Sequence, residues 1–106
     1  MRLTFKQGDT RHAIRVLLKN YAKQTVDLTD ASVVFFMRRD CGQVTLTKQA
    51  TVGADNSVAV VFNAGETDIP GKYSAEFEVT YNDGRVETFP NSGYITVFIE
   101  NRIGGV

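Results

Sequence analysis

The chain has little of what catalysis, metal binding or covalent cross-linking requires. Its single cysteine, Cys41, has no partner for an internal disulfide, and no tryptophan occurs in the 106 residues. One histidine, His12, cannot form a His–His metal pair, and a Cys41–His12 dyad would lack a third group to orient it. The aspartates of the turns follow no calcium-loop spacing and are expected to cap backbone amides. We therefore predict a protein that is not an enzyme and binds no cofactor or metal.

An excess of charge of one sign and a long apolar run are also missing. Twelve Lys and Arg residues balance twelve Asp and Glu residues, and no basic run is longer than Arg38-Arg39, so no nucleic-acid partner is expected. No segment approaches the ~18 apolar residues of a membrane span, and the amino terminus lacks a secretory apolar core. We expect a soluble chain without a membrane partner.

What the sequence does contain is an alternation of apolar and polar side chains that predicts β-strands. Residues 72–81 alternate without a break, which is typical of a strand with one wet face. Similar or fully apolar runs predict further strands at residues 2–6, 12–19, 32–39, 44–48 with 50–52 as a possible continuation, 58–62 and 94–99. A helix over residues 11–23 is the alternative for the second strand, and its β neighbours favour the strand.

The turn at residues 82–84, Asn-Asp-Gly, predicts a β-hairpin. Asp-Gly suits the two positive-φ positions of a two-residue loop, which places Tyr81 opposite Val86. A three-residue bulged loop would place Tyr81 opposite Arg85 and turn a charge toward the tyrosine's face. We therefore favour the two-residue loop.

Three acidic residues of this hairpin form a candidate docking face. In the favoured register Glu76 and Glu78, with Glu87 across the hairpin, make an acidic stripe on the wet side of the long strand. The strands at residues 32–39 and 94–99 are apolar on both sides, which predicts coverage on both faces, and the second of them is expected to be central.

Seven or eight mainly antiparallel strands with turns every eight to twelve residues predict an all-β, immunoglobulin-like β-sandwich. Tyr73 follows a Pro-Gly turn at the start of its strand, where such domains place a corner tyrosine whose hydroxyl bonds to upstream backbone. We assign residues 1–100 to the sandwich and residues 101–106 to a tail or the start of a linker. The predicted core comprises Val33, Phe35, Phe62, Tyr73, Phe77, Val79, Ile95 and Val97.

Five segments resemble the amino-terminal immunoglobulin-like domain of tailed-phage baseplate upper proteins. They are FKQGDT at residues 5–10, VDLTDA at 26–31, VVFFMR at 33–38, PGKYSAEFEV at 70–79 and DGRVETFP at 83–90. The resemblance spans nearly the whole chain. It implies a virion structural protein of a phage or prophage tail or baseplate, made in the host cytoplasm, whose domain supports host-attachment proteins.

Partners implied by the resemblance are other tail or baseplate proteins and further copies of the chain, with a trimer favoured. The candidate docking edge is the first strand, Arg2, Leu3, Thr4, Phe5 and Lys6, because unpaired strand edges accept other strands. The alternative function is a carbohydrate-binding β-sandwich module on a virion or cell surface. It would stack sugars on Tyr21, Tyr81 and Tyr94, although half-buried packing is expected for all three.

Overall fold

The alternating segments of the sequence form the strands of a two-sheet β-sandwich. The computed structural model describes residues 1–11, 13–40, 42 and 44–104. Within these residues the strands are β1 (Arg2–Lys6), β2 (Ala13–Leu17), β3 (Ser32–Arg39), β4 (Val44–Gln49), β5 (Thr51–Val52), β6 (Ser57–Val61), β7 (Gly71–Thr80), β8 (Val86–Phe89) and β9 (Ile95–Glu100). The described residues include no helix that is long and apolar enough to cross a membrane.

Strand order gives the sandwich its immunoglobulin-like pairing. The larger sheet runs β1-β9-β7-β3-β4, with β8 also paired to β7, and the smaller sheet runs β2-β6-β5. In immunoglobulin terms β2, β6 and β5 occupy positions B, E and D, while β4, β3, β7 and β9 occupy C′, C, F and G. Strand β9 pairs with β1 on one side and β7 on the other, so the prediction of a central strand is confirmed.

The strand count exceeds the predicted seven or eight because the chain changes sheets at Ala50. Strand β4 pairs with β3 in the larger sheet, whereas β5 pairs with β6 in the smaller one. Between them Ala50 is buried, and its backbone N–H donates to the carbonyl oxygen of Val33 at 2.9 Å. The possible continuation of β4 is therefore a separate strand.

Apolar side chains from both sheets meet in one core. The rings of Phe35 and Phe77 lie 5.2 Å apart between centroids, and Phe62 packs edge-on against Phe5 at 5.6 Å. All eight residues of the predicted core are buried. Complete burial of each such side chain contributes about 1.5–3 kcal/mol of transfer free energy, so this cluster holds the sheets together.

Strand β2 settles the choice between strand and helix. Its residues pair with β6 in antiparallel register, from Ala13 opposite Val61 to Leu17 opposite Ser57. Ile14, Val16 and Leu18 are buried, as the strand pattern predicts. The helical alternative for this segment is wrong because period-2 burial against the second sheet outweighs weak helical spacing.

The hairpin between β7 and β8 has the three-residue loop, so the two-residue prediction is wrong. The N–H of Gly84 donates to the carbonyl of Tyr81 at 2.9 Å, and the N–H of Tyr81 donates to the carbonyl of Arg85 at 2.8 Å. Within the loop only Gly84 adopts a positive φ, +87°, as in a type I turn closed by a glycine bulge. The Arg85 side chain is 87% exposed, so its charge remains in water.

The corner tyrosine is confirmed. The hydroxyl of Tyr73 donates to the backbone carbonyl of Ile69 at 2.6 Å, four residues upstream. The Tyr73 ring is buried in the core at the start of β7. This bond anchors the loop from β6 to the longest strand of the larger sheet.

Replacing Tyr73 with Phe should lower the free energy of unfolding by about 1 kcal/mol, since one intramolecular hydrogen bond is lost while the ring stays packed. Urea denaturation measures the change. Tyr21→Phe is the matched control: its hydroxyl also bonds a backbone carbonyl, that of Asn91 at 3.2 Å, but its side chain is 79% exposed. The control should change stability by less than ~0.5 kcal/mol. Equal losses in the two variants would contradict a special role for the corner.

Candidate functional site

The larger sheet has one side against the core and one side toward solvent, which we call the open face. On β7 the side chains of Tyr73, Ala75, Phe77 and Val79 are buried in the core. Successive residues of a strand point to opposite sides, so Lys72, Ser74, Glu76, Glu78 and Thr80 lie on the open face. The pairing registers extend this face to alternate residues of the neighbouring strands.

Apolar and aromatic groups lie on the open face without a second layer of described residues above them. Val34 and Phe36 of β3 and Phe98 of β9 are half-buried there. The prediction that these two strands are covered on both faces is therefore wrong for the isolated chain, because the smaller sheet covers only the inner side. Uncovered aromatic side chains on a sheet face are typical of a surface that binds a partner.

Arginine side chains shield two of the aromatic rings. The guanidinium carbon of Arg2 lies 4.2 Å from the centroid of the Phe98 ring, and that of Arg38 lies 5.2 Å from the centroid of Tyr94. Such cation–π contacts stabilise exposed sites by about 0.5–1 kcal/mol. They also hold both guanidinium groups next to aromatic rings of the open face.

Some of the charges on or beside this face form ion pairs, and others have no partner among the described residues. Lys6 pairs with Glu100 at 3.0 Å, and Lys72 approaches Asp40 at 3.5 Å. The half-buried carboxylates of Glu76 and Glu78 have neither an ion pair nor a hydrogen bond among the described residues.

A small depression lies where β8 and β9 separate along β7. Its volume is about 100 Å³, and it is lined by Phe36, Met37, Arg38, Val44, Ser74, Glu76 and Tyr94. Ligand pockets usually measure about 300–1,000 Å³, so this one suits a single protruding side chain better than a small molecule. Because Arg38 and Glu76 both line it, a cation and an anion lie at the same depression.

The predicted docking edge does lie at an edge of the larger sheet. Strand β1 pairs with β9 on one side and with no described strand on the other. The carbonyl of Met1 accepts from Thr96 N–H at 2.9 Å, and the N–H of Gln7 donates to Glu100 at 2.7 Å. In a parallel ladder the odd-numbered residues of β1 therefore bond to β9, and the backbone groups of Arg2 and Thr4 point to the free edge. The Lys6 N–H points the same way, whereas the Lys6 carbonyl accepts from the N–H of Asp9 at 3.1 Å.

The side chains of the same strand divide between the two sides of the sheet. Phe5 is buried in the core and Leu3 packs against it. Arg2, Thr4 and Lys6 share the open face with their β9 partners Thr96, Phe98 and Glu100. The candidate edge therefore adjoins the candidate face.

The structure removes Glu87 from the predicted acidic stripe. Glu87 lies opposite Val79, so its side chain is on the inner side of the sheet, whereas Glu78 lies opposite Thr88. The Glu87 carboxylate accepts from the hydroxyl of Tyr81 at 2.7 Å and from Asn91 Nδ2 at 3.1 Å. Its assignment to the docking face was wrong because it followed from the two-residue loop register.

The three tyrosines do not form one platform. Tyr81 is half-buried and packs against the core, with its hydroxyl held by Glu87. Tyr21 and Tyr94 are exposed side chains, at 79% and 51%, so the core or half-buried packing expected for all three tyrosines holds only for Tyr81. Tyr81 and Tyr94 are associated with opposite sides of the larger sheet.

The remaining candidate chemistry lies outside the described residues, since neither His12 nor Cys41 is among them. In the part of the chain that is described, no group of three or more His, Cys, Asp or Glu side chains could hold a metal ion.

The sequence patterns gave Arg38 no functional role and indicated Tyr94 only as a sugar-stacking residue. The parity of β3 could have located the first. Phe36 and Arg38 are two positions apart, so the arginine had to lie beside an aromatic ring on the open face. The meeting of Tyr94 with Arg38 could not be located in this way because it depends on the pairing of β9 and β3 with opposite edges of β7.

Comparison with known proteins assigns no family: no family model, curated protein or solved structure matches this chain. The resemblance to baseplate upper proteins therefore rests on the five sequence segments named above.

Tyr81 should make the stability of the chain decrease at alkaline pH. Burial of the ring, its hydrogen bond to Glu87 and the charge of that carboxylate raise the pKa of Tyr81 from 10.0 to about 12. Because the folded pKa is above the ordinary one, this stabilising contribution is complete below pH 10 and is lost as the pH rises through about 12. The free energy of unfolding, measured with urea at several pH values in that interval, should fall more steeply with pH for the wild-type chain than for Tyr81→Phe.

Glu87→Gln provides the control for this titration. The amide keeps a hydrogen-bond acceptor beside the Tyr81 hydroxyl but removes the negative charge, so the pKa of Tyr81 should move back toward its ordinary value. The loss of stability above pH 10 should then be smaller and end at a lower pH than in the wild-type chain. Identical slopes for the wild-type chain and Tyr81→Phe would contradict the assignment.

Proposed function

We propose that this chain is a non-enzymatic assembly module of a phage or prophage tail or baseplate. It docks onto copies of itself or neighbouring tail proteins and supports host-attachment proteins. The resemblance to baseplate upper proteins supports the placement in a virion and favours a trimer. The free edge of β1 and the adjoining open face support a docking role.

The observation that carries the docking role is the free backbone edge of β1. Arg2 and Thr4 direct their N–H and C=O groups away from β9, as Lys6 does its N–H, while the Lys6 carbonyl accepts from the N–H of Asp9 at 3.1 Å. An exposed edge of this kind binds an extended segment by continuing the sheet, with main-chain hydrogen bonds for affinity. Each new bond contributes about 0.5–1.5 kcal/mol net, so adjoining side-chain contacts must add to it.

The open face offers those contacts. Aromatic residues and arginine are enriched at the centres of protein interfaces, and this face combines Phe36, Phe98 and Tyr94 with Arg2 and Arg38. An assembly module with this face and edge needs no catalytic residue.

Carbohydrate binding is the second candidate, because Tyr21 and Tyr94 are exposed. A glycan array discriminates it, and Tyr94→Ala should then abolish the signal. Tyr81→Ala is not a suitable test because Tyr81 packs against the core and would affect folding.

Thr4→Pro should weaken self-association through the β1 edge while leaving the sandwich folded. Proline removes an N–H that points to the free edge, so no bond to β9 is lost, and edge strands tolerate proline in such positions. Thr4→Val is the matched control because it keeps the N–H. Light scattering across a concentration series should give a lower molar mass for Thr4→Pro than for the wild-type chain and Thr4→Val.

Two results would count against this proposal. The first is an unchanged molar mass for Thr4→Pro, which would exclude the edge as the docking element. The second concerns the virion: mass spectrometry of tailed particles purified from the host that encodes the chain should detect it. Particles that lack the chain would contradict the structural role.

A further inference from the structure

The charges left over on the open face have an ordered arrangement. Once Lys6–Glu100 and Lys72–Asp40 are paired, Arg2 and Arg38 remain as cations. They lie in one row across the sheet, since Arg2 is opposite Thr96, Thr96 is opposite Ser74, and Ser74 is opposite Arg38. The leftover anions lie in the next two rows along β7.

Glu76 and Glu78 follow Ser74 on the same side of β7, one and two steps of the pleat further on. Side chains on one face of a strand are about 7 Å apart, so the basic row and the first acidic row are neighbours. Phe36 lies opposite Glu76 and Val34 lies opposite Glu78, so each carboxylate has an apolar neighbour. The central part of the open face is therefore basic at the row of Ser74 and acidic at the rows of Glu76 and Glu78.

Such a pattern is complementary to itself after a half-turn. A two-fold axis that lies midway between the two faces and runs parallel to the rows, between those of Ser74 and Glu76, places the basic row of each copy over the first acidic row of the other. Stacked sheets lie about 10 Å apart, a gap that arginine and glutamate side chains can bridge from both sides. A two-fold axis parallel to the strands would instead stack the two basic rows on each other.

Size and total charge agree with a second copy as the occupant. Five strand positions about 4.8 Å apart and strands that average seven residues give a footprint on the order of 550 Å². That is about two-thirds of the roughly 800 Å² that each partner of a standard interface contributes. The formal net charge of the chain is zero, so two copies do not repel each other at long range.

We propose that the open face binds a second copy of this chain through a two-fold contact in which Arg38 of each copy meets Glu76 of the other. The inference rests on the proposed function, because it names the occupant of the same docking face. A two-fold face contact and a trimer closed through strand edges are compatible, since dihedral assemblies combine both kinds of interface.

Charge reversal tests the contact. Arg38→Glu and Glu76→Lys each place like charges across both halves of the two-fold contact, so each variant alone should show half the molar mass of the wild-type chain by light scattering. Mixed in equal amounts, the two variants should regain the wild-type mass. In that mixed pair every reversed side chain meets an opposite charge. The double variant Arg38→Glu/Glu76→Lys should likewise associate with itself.

Arg15→Glu is the matched control. Arg15 is exposed on β2 of the smaller sheet, so its reversal changes the net charge by the same amount as Arg38→Glu but leaves the open face intact. It should keep the wild-type mass. Circular dichroism shows whether each variant folds. If one of the single variants does not fold, self-association of the double variant still tests the pairing of residue 38 with residue 76.

Three results would overturn the contact: a mass of one protomer for the wild-type chain at every concentration, reversals that leave its mass unchanged, or a mixture that does not reassociate. The proposed function would then still be supported if the chain is detected in purified virions, or if Thr4→Pro lowers the molar mass although the charge reversals do not. Failure of both tests would instead count against the proposed function itself.

Discussion

The structure depends on the pleat of β7, which pairs along its whole length and has one side in the core. Residues 73–80 pair with β3 on one edge, and residues 71–75 and 77–80 pair with β9 and β8 on the other. Because side chains alternate, the burial of Tyr73, Ala75, Phe77 and Val79 determines which residues of every neighbouring strand face solvent. The open face is therefore a direct consequence of the core.

This coupling also explains why a single turn changes the charge map. A shift of one residue in the β7–β8 register moves Glu87 from the solvent side to the inner side, where Tyr81 and Asn91 bind its carboxylate. The acidic group on the open face is then smaller, with Glu76 and Glu78 left beside Arg38.

Apolar residues on both sides of β3 and β9 led us to expect coverage on both faces. The single chain covers only one, and the other side retains Val34, Phe36 and Phe98 at a half-buried surface. Arg2 and Arg38 shield part of this surface in the isolated chain. A partner that completes the burial would reconcile the composition of these strands with the architecture.

Local patterning by itself determined where the strands lie, which side of each is apolar, the core and the corner tyrosine, because period-2 alternation and turn residues act over a few positions. The tertiary structure alone decided the loop register, the sheet change at Ala50 and the meeting of Arg38 with Tyr94. These depend on competition between pairings far apart in the chain. Asp-Gly is compatible with both loops, and only the pairing of β7 with β8 selects one.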